Sequence, residues 1–162
     1  MHYLVVLKLL ILLALANGSP IIAKWIFHAR FGLPLDGNLK LHDGRPLFGA
    51  AKTIRGTLVS LVITSACAPL LGFSFAVGLL VASAAMAGDL LSSFLKRRLG
   101  IPSSGRATGL DQIPESLFPL LACAELLSLT ALDIIVGTAV FFMGAVVLSQ
   151  LLFRLNVRDR PY

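Results

Sequence analysis

The sequence predicts an all-α, polytopic membrane protein, a bundle of about five transmembrane helices with two cytoplasmic loops. Of its 162 residues, 57% are hydrophobic and 14% are charged, whereas a soluble domain carries roughly 25% charged residues. The apolar residues form long continuous runs, which are typical of spanning helices and differ from the alternating pattern of barrel strands. We therefore interpret the chain as one integral membrane domain covering residues 1–162.

The first predicted span covers residues 4–27 and contains the break Asn17-Gly18-Ser19-Pro20. Two interpretations of this run are open. Ala14-Leu15-Ala16 has the small-x-small form of a signal-peptide cleavage site, but no positive charge precedes the apolar part. We favour a retained span that unwinds locally at the break, because irregular backbone is tolerated at membrane depth where it lines a protein cavity.

Turn and cap residues delimit the later spans. Pro69 breaks the second span, and Gly72 begins a tight turn after it. Pro114 suits the first position of a helix, and Asp133 is a plausible cap for the last span. The four later spans are predicted over residues 56–71, 73–95, 114–129 and 134–153.

The polar loops, residues 28–55 and 96–113, share a strong positive charge with the tail. All but one of the 14 Lys and Arg residues lie in or beside these three regions. By the positive-inside rule this side is cytoplasmic, and five spans then put the N-terminus outside. The distribution explains the net charge of +6 without a nucleic-acid partner. The first loop is turn-rich but carries apolar residues, so we expect it to be ordered and folded against the membrane face.

The end of the third predicted span carries the pattern most informative about function. On a helix, Asp89 shares a face with Ser92, Ser93, Lys96 and Arg97. A carboxylate at the centre of a span costs roughly 2.5–3.5 kcal/mol, so it persists where it has a partner or a cavity. A carboxylate below hydroxyls and cations suits a metal-bound polyphosphate. The plainer alternatives are an ion pair between Asp89 and a cation, and contact of the basic cluster with lipid headgroups.

A second acid, Asp111, follows the second loop. By itself it could cap the fourth span, where the helix dipole favours a carboxylate. Together with Asp89 it predicts a magnesium site, because Mg²⁺ takes one or two carboxylates together with phosphate oxygens and water.

Other polar residues within or beside the spans leave more than one interpretation open. Lys52 and Arg55 follow a small-residue turn; they could hold phosphate or simply flank the second span. Glu125, well inside the fourth predicted span, could pair with Asn17 or line a cavity. The two cysteines are expected to be buried and unpaired, and the three histidines lack the spacing of a zinc site.

These motifs resemble the CDP-archaeol synthase family, relatives of the phosphatidate cytidylyltransferases, over nearly the whole chain. The resemblance implies a five-helix membrane enzyme that transfers CMP from CTP to a lipid phosphate, with Mg²⁺, and releases pyrophosphate in phospholipid biosynthesis. The matching segments are Ala-Asn-Gly-x-Pro at 16–20, Asp-Gly-Arg-x-x-Phe-Gly at 43–49, Lys-Thr-x-Arg-Gly at 52–56, Gly-Asp-Leu-x-x-Ser-Phe-x-Lys-Arg-Arg-Leu-Gly-Ile at 88–101 and Asp-Gln at 111–112.

On this sequence, the hypothesis gives Asp89, Asp111 and Lys96 catalytic roles, with both aspartates as ligands of Mg²⁺. A phosphate monoester is largely dianionic near neutrality, so the reaction needs no general base. The residues expected to bind the nucleotide or the lipid phosphate are Asn17, Lys52, Thr53, Arg55, Gly56, Ser93 and Arg97.

Two departures from the family pattern leave the lipid acceptor open. Ala50-Ala51 stands where family members often have an acidic residue, and residues 103–109 replace an aromatic, Pro-rich loop. The acceptor could be an archaeal ether-lipid phosphate, phosphatidic acid, or another prenyl or acyl phosphate. The remaining alternatives are a lipid kinase or phosphotransferase that uses another nucleotide, and a non-catalytic membrane scaffold or transporter subunit.

Overall fold

Five α-helices make up the fold. The computed structural model describes residues 2–28, 30–103, 105 and 107–154, with side chains described up to residue 150. Arg106 and the basic tail after Arg154 lie outside the described residues. The prediction of an all-helical, multi-pass membrane protein is confirmed. The helices are α1 (Tyr3–Phe27), α2 (Ile54–Cys67), α3 (Phe75–Arg98), α4 (Gln112–Ala122) and α5 (Ala131–Arg154), and a 3₁₀ turn (Ala68–Leu71) extends α2.

The helix α1 continues through the predicted break, so the expected local unwinding at Asn17–Pro20 is wrong. Proline has no amide hydrogen and leaves the carbonyl four residues earlier without its helical donor. Here that carbonyl belongs to Ala16, and the buried hydroxyl of Ser60 on α2 donates to it at 2.8 Å. The neighbouring helix therefore replaces the missing hydrogen bond, and α1 stays helical.

The small-residue face of α3 packs closely against the end of α2. A Cβ atom added to Gly78 would lie 2.7 Å from the Cα atom of Ser65 and 2.6 Å from the Cβ atom of Ala68. Gly72, between the two helices, has the left-handed φ of 79° that favours glycine. The short connection and the missing side chain at Gly78 together hold α2 and α3 as an antiparallel pair.

The fourth predicted span is shorter as a helix than the sequence indicates. α4 has 11 residues, about 17 Å at 1.5 Å per residue, against a hydrocarbon core of about 30 Å. Pro119 removes an amide donor inside α4, and the chain continues in turns over Cys123–Ser128. Glu125, expected inside a span, lies exposed in this turn segment. Four other segments, α1, α2 with its 3₁₀ turn, α3 and α5, are long and apolar enough to cross a membrane.

The helix ends define two faces of the bundle. We call the end where α1 and α3 finish and α2 and α4 begin the charged face. We call the other end, where the starts of α1 and α5 meet, the opposite face. There Asp133 accepts hydrogen bonds from the backbone N–H of His2 at 2.8 Å and from the Thr130 hydroxyl at 2.8 Å. The segment from Asp111 to Thr130 therefore connects the two faces, although much of it is not a regular helix.

Asp133 completes the start of α5, as predicted, although as the partner of the cap. Thr130 is the cap: its hydroxyl accepts from the Asp133 N–H at 3.2 Å, and the Asp133 carboxylate accepts from the Thr130 N–H at 3.0 Å. This reciprocal pair is a capping box. The ring nitrogen Nδ1 of His2 lies 3.1 Å from the same carboxylate, so these contacts of Asp133 join the starts of α1 and α5.

The first loop is ordered by backbone pairing, as expected; its packing against the membrane face stays a prediction. Leu41 N–H donates to the Arg45 carbonyl at 3.0 Å, and Leu47 N–H donates to the Leu39 carbonyl at 2.9 Å. The turn between them contains Gly44, whose φ of 72° is left-handed. The result is a small hairpin at the charged face.

Asp36 fixes the base of this hairpin. Its carboxylate accepts backbone hydrogen bonds from Asn38 at 3.0 Å and from Phe48 and Gly49 at 2.9 Å each. Partial desolvation acts to raise the pKa of Asp36, but the three N–H donors outweigh it and hold the pKa below its usual range.

Two arginines clamp the hairpin to the end of α3. The Arg98 guanidinium donates to Asp43 at 2.6 Å and to the Pro46 carbonyl at 2.6 Å. In return, Arg45 donates to the Arg97 and Arg98 carbonyls at the end of α3, where the Arg97 carbonyl also accepts from the Gly100 N–H at 3.1 Å. The last basic residue of the cluster after Asp89 therefore has a structural role.

Candidate functional site

The site is built where α3 and α4 approach most closely. A Cβ atom added to Gly88 would lie 2.5 Å from the carbonyl carbon of Pro114 and 2.9 Å from the amide nitrogen of Glu115. These are backbone atoms that cannot move aside, so the approach requires glycine here. The next residue, Asp89, is thereby placed beside the start of α4.

Asp89 forms an ion pair with Lys52 from the first loop. Both carboxylate oxygens accept from Lys52 Nζ, at 2.5 and 2.6 Å, and both side chains are partly buried. Lys52 directly precedes Thr53, the N-cap of α2. The alternative that Asp89 pairs with a loop cation is therefore confirmed for Lys52, and the pairing with Lys96 is not seen.

Asp111 forms a second ion pair, with Lys96 of α3. Lys96 Nζ lies 2.6 Å from Asp111 Oδ1, although Lys96 is only 7% exposed. Asp111 Oδ2 accepts from the backbone N–H of Ala107 at 3.1 Å. Asp111 stands at the N-cap position of α4, as the predicted alternative had it, but its side chain makes no capping hydrogen bond to α4.

A third carboxyl group, Glu115, lies between the two pairs. Its carboxyl is within hydrogen-bonding range of Asp89 and within electrostatic range of Lys52 and Asp111. The sequence analysis did not identify Glu115. The available signal was its spacing, since a residue four positions after Asp111 lies on the same side of a helix.

Arg97 and Ser93 add buried polar groups without partners. Arg97 is 3% exposed, and among the described residues its Nε and Nη1 have no hydrogen-bond partner, nor does the Ser93 hydroxyl. Arg97 is close enough to Asp111 to interact electrostatically, and its Nη1 would lie 3.3 Å from a Cβ atom added to Gly49. Because a buried donor without an acceptor costs about 1–3 kcal/mol, such donors indicate a site that receives an anion.

Other predicted phosphate-binding residues have structural contacts instead. The Thr53 hydroxyl accepts from the Gly56 N–H at 3.2 Å and caps α2. Arg55 donates to the His28 carbonyl at 3.1 Å and to the Arg30 carbonyl, which ties the end of α1 to the loop.

Two further predicted residues lie where α1 and α2 meet. The site of a Cβ atom on Gly56 is 3.3 Å from Pro20 Cβ, so Gly56 allows α2 to approach α1. The amide nitrogen of Asn17, within α1, is buried and has no partner among the described residues. Among the described residues, no hydrogen bond or ion pair joins Asn17, Arg55 or Gly56 to Asp89, Glu115 or Asp111.

The carboxylate oxygens of the site are chemically suited to a hard divalent cation, although they are not arranged to coordinate one. Among the described residues, no group of three or more His, Cys, Asp or Glu side chains is positioned to hold a metal ion. The oxygens of Asp89 and Asp111 are instead held by lysines. Carboxylate oxygens are the ligands that Mg²⁺ prefers, so the residues fit the cation chemically once the lysines release them.

By fold and site, the chain is therefore a multi-pass membrane protein with an acidic and cationic site at one end of its bundle. A family model described as CarS-like, CDP-archaeol synthase, matches residues 3–162. The chain belongs to this family, and the resemblance found in the sequence is confirmed.

Individual relatives and a solved structure agree with this assignment. The CDP-archaeol synthase of Hyperthermus butylicus is 37% identical over 107 residues, 60% of this chain and 59% of that protein. That of Pyrococcus furiosus is 38% identical over 107 residues, 60% of each chain. The matches thus span less than two thirds of these relatives. A solved structure described as an intramembrane enzyme for archaeal membrane lipids biosynthesis has a TM-score of 0.73 and 28% identity, and covers 93% of this chain and 92% of that chain.

Proposed function

We propose that this chain is a membrane cytidylyltransferase that transfers CMP from CTP to a lipid phosphate and releases pyrophosphate. The observation that carries the proposal is the buried Arg97, whose Nε and Nη1 have no hydrogen-bond partner among the described residues, beside the Asp111–Lys96 pair. A nucleotide triphosphate supplies acceptors for these donors. The family supplies the nature of the reaction, since its relatives are CDP-archaeol synthases.

The main barrier in this reaction is electrostatic. Two anions must approach each other, and charge develops on the leaving pyrophosphate. Mg²⁺, when bound, would neutralise part of the triphosphate charge. We assign its ligands to Asp89 and Asp111, whose carboxylates now form ion pairs with Lys52 and Lys96. Once released from the carboxylates, both ammonium groups become available for phosphate oxygens, together with Arg97.

The chemistry proposed requires no base, and no histidine is placed in the cluster. The acceptor phosphate is already largely dianionic near neutral pH. We propose an archaeal-type ether-lipid phosphate as the preferred acceptor, because the matched relatives are CDP-archaeol synthases. Phosphatidic acid is the competing acceptor. We propose that the charged face, and with it the site, lies on the cytoplasmic side with the N-terminus outside, because the positive-inside rule favours that orientation for the basic loops.

The direct test is turnover by the purified, detergent-solubilised protein. It is incubated with CTP and Mg²⁺ and with either an ether-lipid phosphate or phosphatidic acid, and products are identified by mass. We expect a CDP-lipid and an equal amount of pyrophosphate, with the ether lipid preferred. Turnover with ATP but not CTP would favour the kinase or phosphotransferase alternative. No product with either acceptor would favour a scaffold or transporter subunit.

The largest effect expected from a single change within the site is that of Asp89→Asn. The amide keeps the size of the side chain but removes the charge that faces Lys52 and the cation. We expect turnover to fall by at least about 100-fold, as for other groups that act on transition-state charge. The exposed Glu125→Gln variant is the control. Wild-type turnover in Asp89→Asn would remove Asp89 from the metal ligands.

A further inference from the structure

Gly49, at the base of the hairpin, lies against Arg97 of α3 and Ser103 of the second loop. A Cβ atom added to Gly49 would overlap the Ser103 hydroxyl oxygen, and it would lie 3.2 Å from Ser103 Cβ and 3.3 Å from Arg97 Nη1. The φ of 93° at Gly49 lies in the positive region that residues with a side chain rarely adopt. The missing side chain of Gly49 is therefore what allows the Arg97 and Ser103 side chains to lie where they do.

Hydrogen bonds on both sides fix the backbone of Gly49. Its N–H donates to the Asp36 carboxylate at 2.9 Å, and its carbonyl accepts from the Lys52 N–H at 3.1 Å. Lys52 is itself held, because its carbonyl accepts from the Leu35 N–H at 2.8 Å. Since the backbone is held in this way, a side chain at position 49 would be accommodated mainly by displacement of Ser103 or Arg97.

Arg97 is the neighbour of Gly49 that bears on function. It is only 3% exposed, and its Nε and Nη1 have no hydrogen-bond partner among the described residues. Packing therefore sets where these two nitrogens lie, and Gly49 is part of that packing. Ser93, one turn earlier on the same face of α3, is also buried, and its hydroxyl has no partner in the described part of the chain. Buried donors that are unpaired in this way indicate a site for an acceptor supplied from outside the chain.

We propose that Gly49 is a positioning residue: because it lacks a side chain, the Arg97 guanidinium stays where its unpaired nitrogens can donate to the phosphate chain of the nucleotide. The inference rests on the proposed function and deepens it, because it assigns the base of the hairpin to nucleotide binding. An interaction that is equally strong before and during the chemical step affects KM and leaves kcat unchanged. Crowding of Arg97 is therefore expected to weaken CTP binding more than it slows turnover.

Gly44 offers a matched control for a change at Gly49. It lies in the same hairpin with a positive φ of 72°, but no atom lies within 4 Å of its added Cβ. Gly49→Ala and Gly44→Ala therefore both carry the strain of a positive φ, and only Gly49→Ala crowds Arg97.

The test measures binding of radiolabelled CTP to the detergent-solubilised protein without a lipid acceptor, so that no transfer occurs. KM and kcat are then measured with the acceptor. We expect Gly49→Ala to weaken CTP binding and to raise KM by at least about tenfold relative to Gly44→Ala, because a small displacement of a binding group is costly, while kcat changes little. Equal CTP affinities in the two variants would overturn the proposal.

A rescue experiment separates crowding of Arg97 from a general loss of structure. Ser103→Gly, added to Gly49→Ala, removes the atoms that the new methyl group meets on the second loop, so the methyl group can move away from Arg97. We expect the double variant to regain most of the lost CTP affinity. An affinity as low as that of Gly49→Ala alone would overturn the proposal.

Two changes at Ser103 cover the case in which Gly49→Ala does not fold. Ser103→Val fills the space beside Gly49 from the second loop and leaves the hairpin residues unchanged, whereas Ser103→Ala adds no volume. We expect Ser103→Val to bind CTP about tenfold more weakly than wild type and Ser103→Ala to bind it like wild type. Equal affinities in the two variants would overturn the proposal.

The outcomes separate this inference from the proposed function. CTP binding that is weakened by Gly49→Ala, in a protein that forms no CDP-lipid, would retain the positioning role and reject the transferase. Formation of a CDP-lipid by the wild-type protein, together with equal CTP affinities in Gly49→Ala and Gly44→Ala, would retain the transferase and reject the role of Gly49.

Discussion

The two ends of the bundle use carboxylates in opposite ways. At the opposite face, Asp133 accepts from His2 N–H, from Thr130 N–H and from the Thr130 hydroxyl, all at 2.8–3.0 Å. At the charged face, Asp89 pairs with Lys52 and Asp111 with Lys96, while Arg97 and Ser93 keep polar atoms without partners among the described residues. The hydrogen bonds of Asp133 are therefore satisfied within the chain, whereas the charged face has polar atoms that are free to bind a ligand.

The difference separates a structural carboxylate from a functional one. A buried polar group that has all its partners fixes local geometry and rarely needs a ligand. A cluster with unused donors and crowded acids is less stable than it could be, which proteins accept mainly at binding and catalytic sites. The comparison therefore predicts that changes at the charged face affect activity and that changes at the opposite face affect stability.

Apart from changes to the acidic residues themselves, the largest effect at the charged face is expected for Gly88→Ala. The new Cβ atom would overlap backbone of Pro114 and Glu115, so α4 must move and the acids separate. We expect the free energy of unfolding to fall by about 1–3 kcal/mol and turnover to fall by at least about 100-fold. Gly144→Ala in α5 is the control, because no atom lies within 4 Å of its added Cβ. Wild-type turnover in Gly88→Ala would show that this approach does not position the site.

The next largest effect is expected for Asp133→Ala at the opposite face. His2 and Thr130 lose their shared acceptor, and the capping box of α5 is lost. We expect the unfolding temperature to fall while KM for CTP in the folded fraction stays unchanged. Glu125→Ala is the control on the same side of the bundle. A raised KM for CTP would contradict the division between the two faces.

A smaller effect on stability is expected for Ser60→Ala. It removes the hydroxyl that donates to the Ala16 carbonyl, for which we expect a loss of about 1 kcal/mol. Ser65→Ala is matched, because Ser65 is equally buried but its hydroxyl donates to Leu61 within its own helix. Thermal unfolding of both variants measures the difference. Equal unfolding temperatures would show that α1 does not need Ser60 to remain helical past Pro20.

The smallest effect is expected at Asp36, which orders the hairpin beside the site. Because the folded-state pKa of Asp36 lies below the unfolded value of about 3.9, its stabilisation is present above that value and is lost as the pH falls through the folded-state pKa. We expect Asp36→Asn to increase amide exchange at Phe48 and Gly49 at neutral pH, with a few-fold loss of turnover at most. Exchange as slow as in wild type would remove this role.

The fold was predictable because apolar runs and the distribution of cations are local features of the sequence. Two errors came from tertiary effects. The break at Pro20 was expected to unwind α1, but the compensating donor, Ser60, comes from another helix. The fourth span was expected to be one helix, but α4 ends at Ala122 and the chain continues in turns. Apolar composition alone does not distinguish a helix from apolar turns, so the sequence did not reveal this end.

The site was predictable in part. Asp89, Lys96, Arg97 and Asp111 stand in one motif region and meet at one face. The ion pair between Lys52 and Asp89 depends on how the first loop folds, and residue spacing in the sequence does not predict that fold. Glu115 was not predicted, because its position beside Asp89 depends on the close contact of α3 with α4 at Gly88, which is a tertiary feature.

The two lysine ion pairs also bear on how the bundle assembles. Lys52 and Lys96 act as tethered counter-ions for acids that would otherwise be unfavourable near the bilayer. Because this neutralisation is built into the polypeptide, we expect the protein to insert and pack in the presence of a chelator and to acquire its divalent ion afterwards together with the nucleotide.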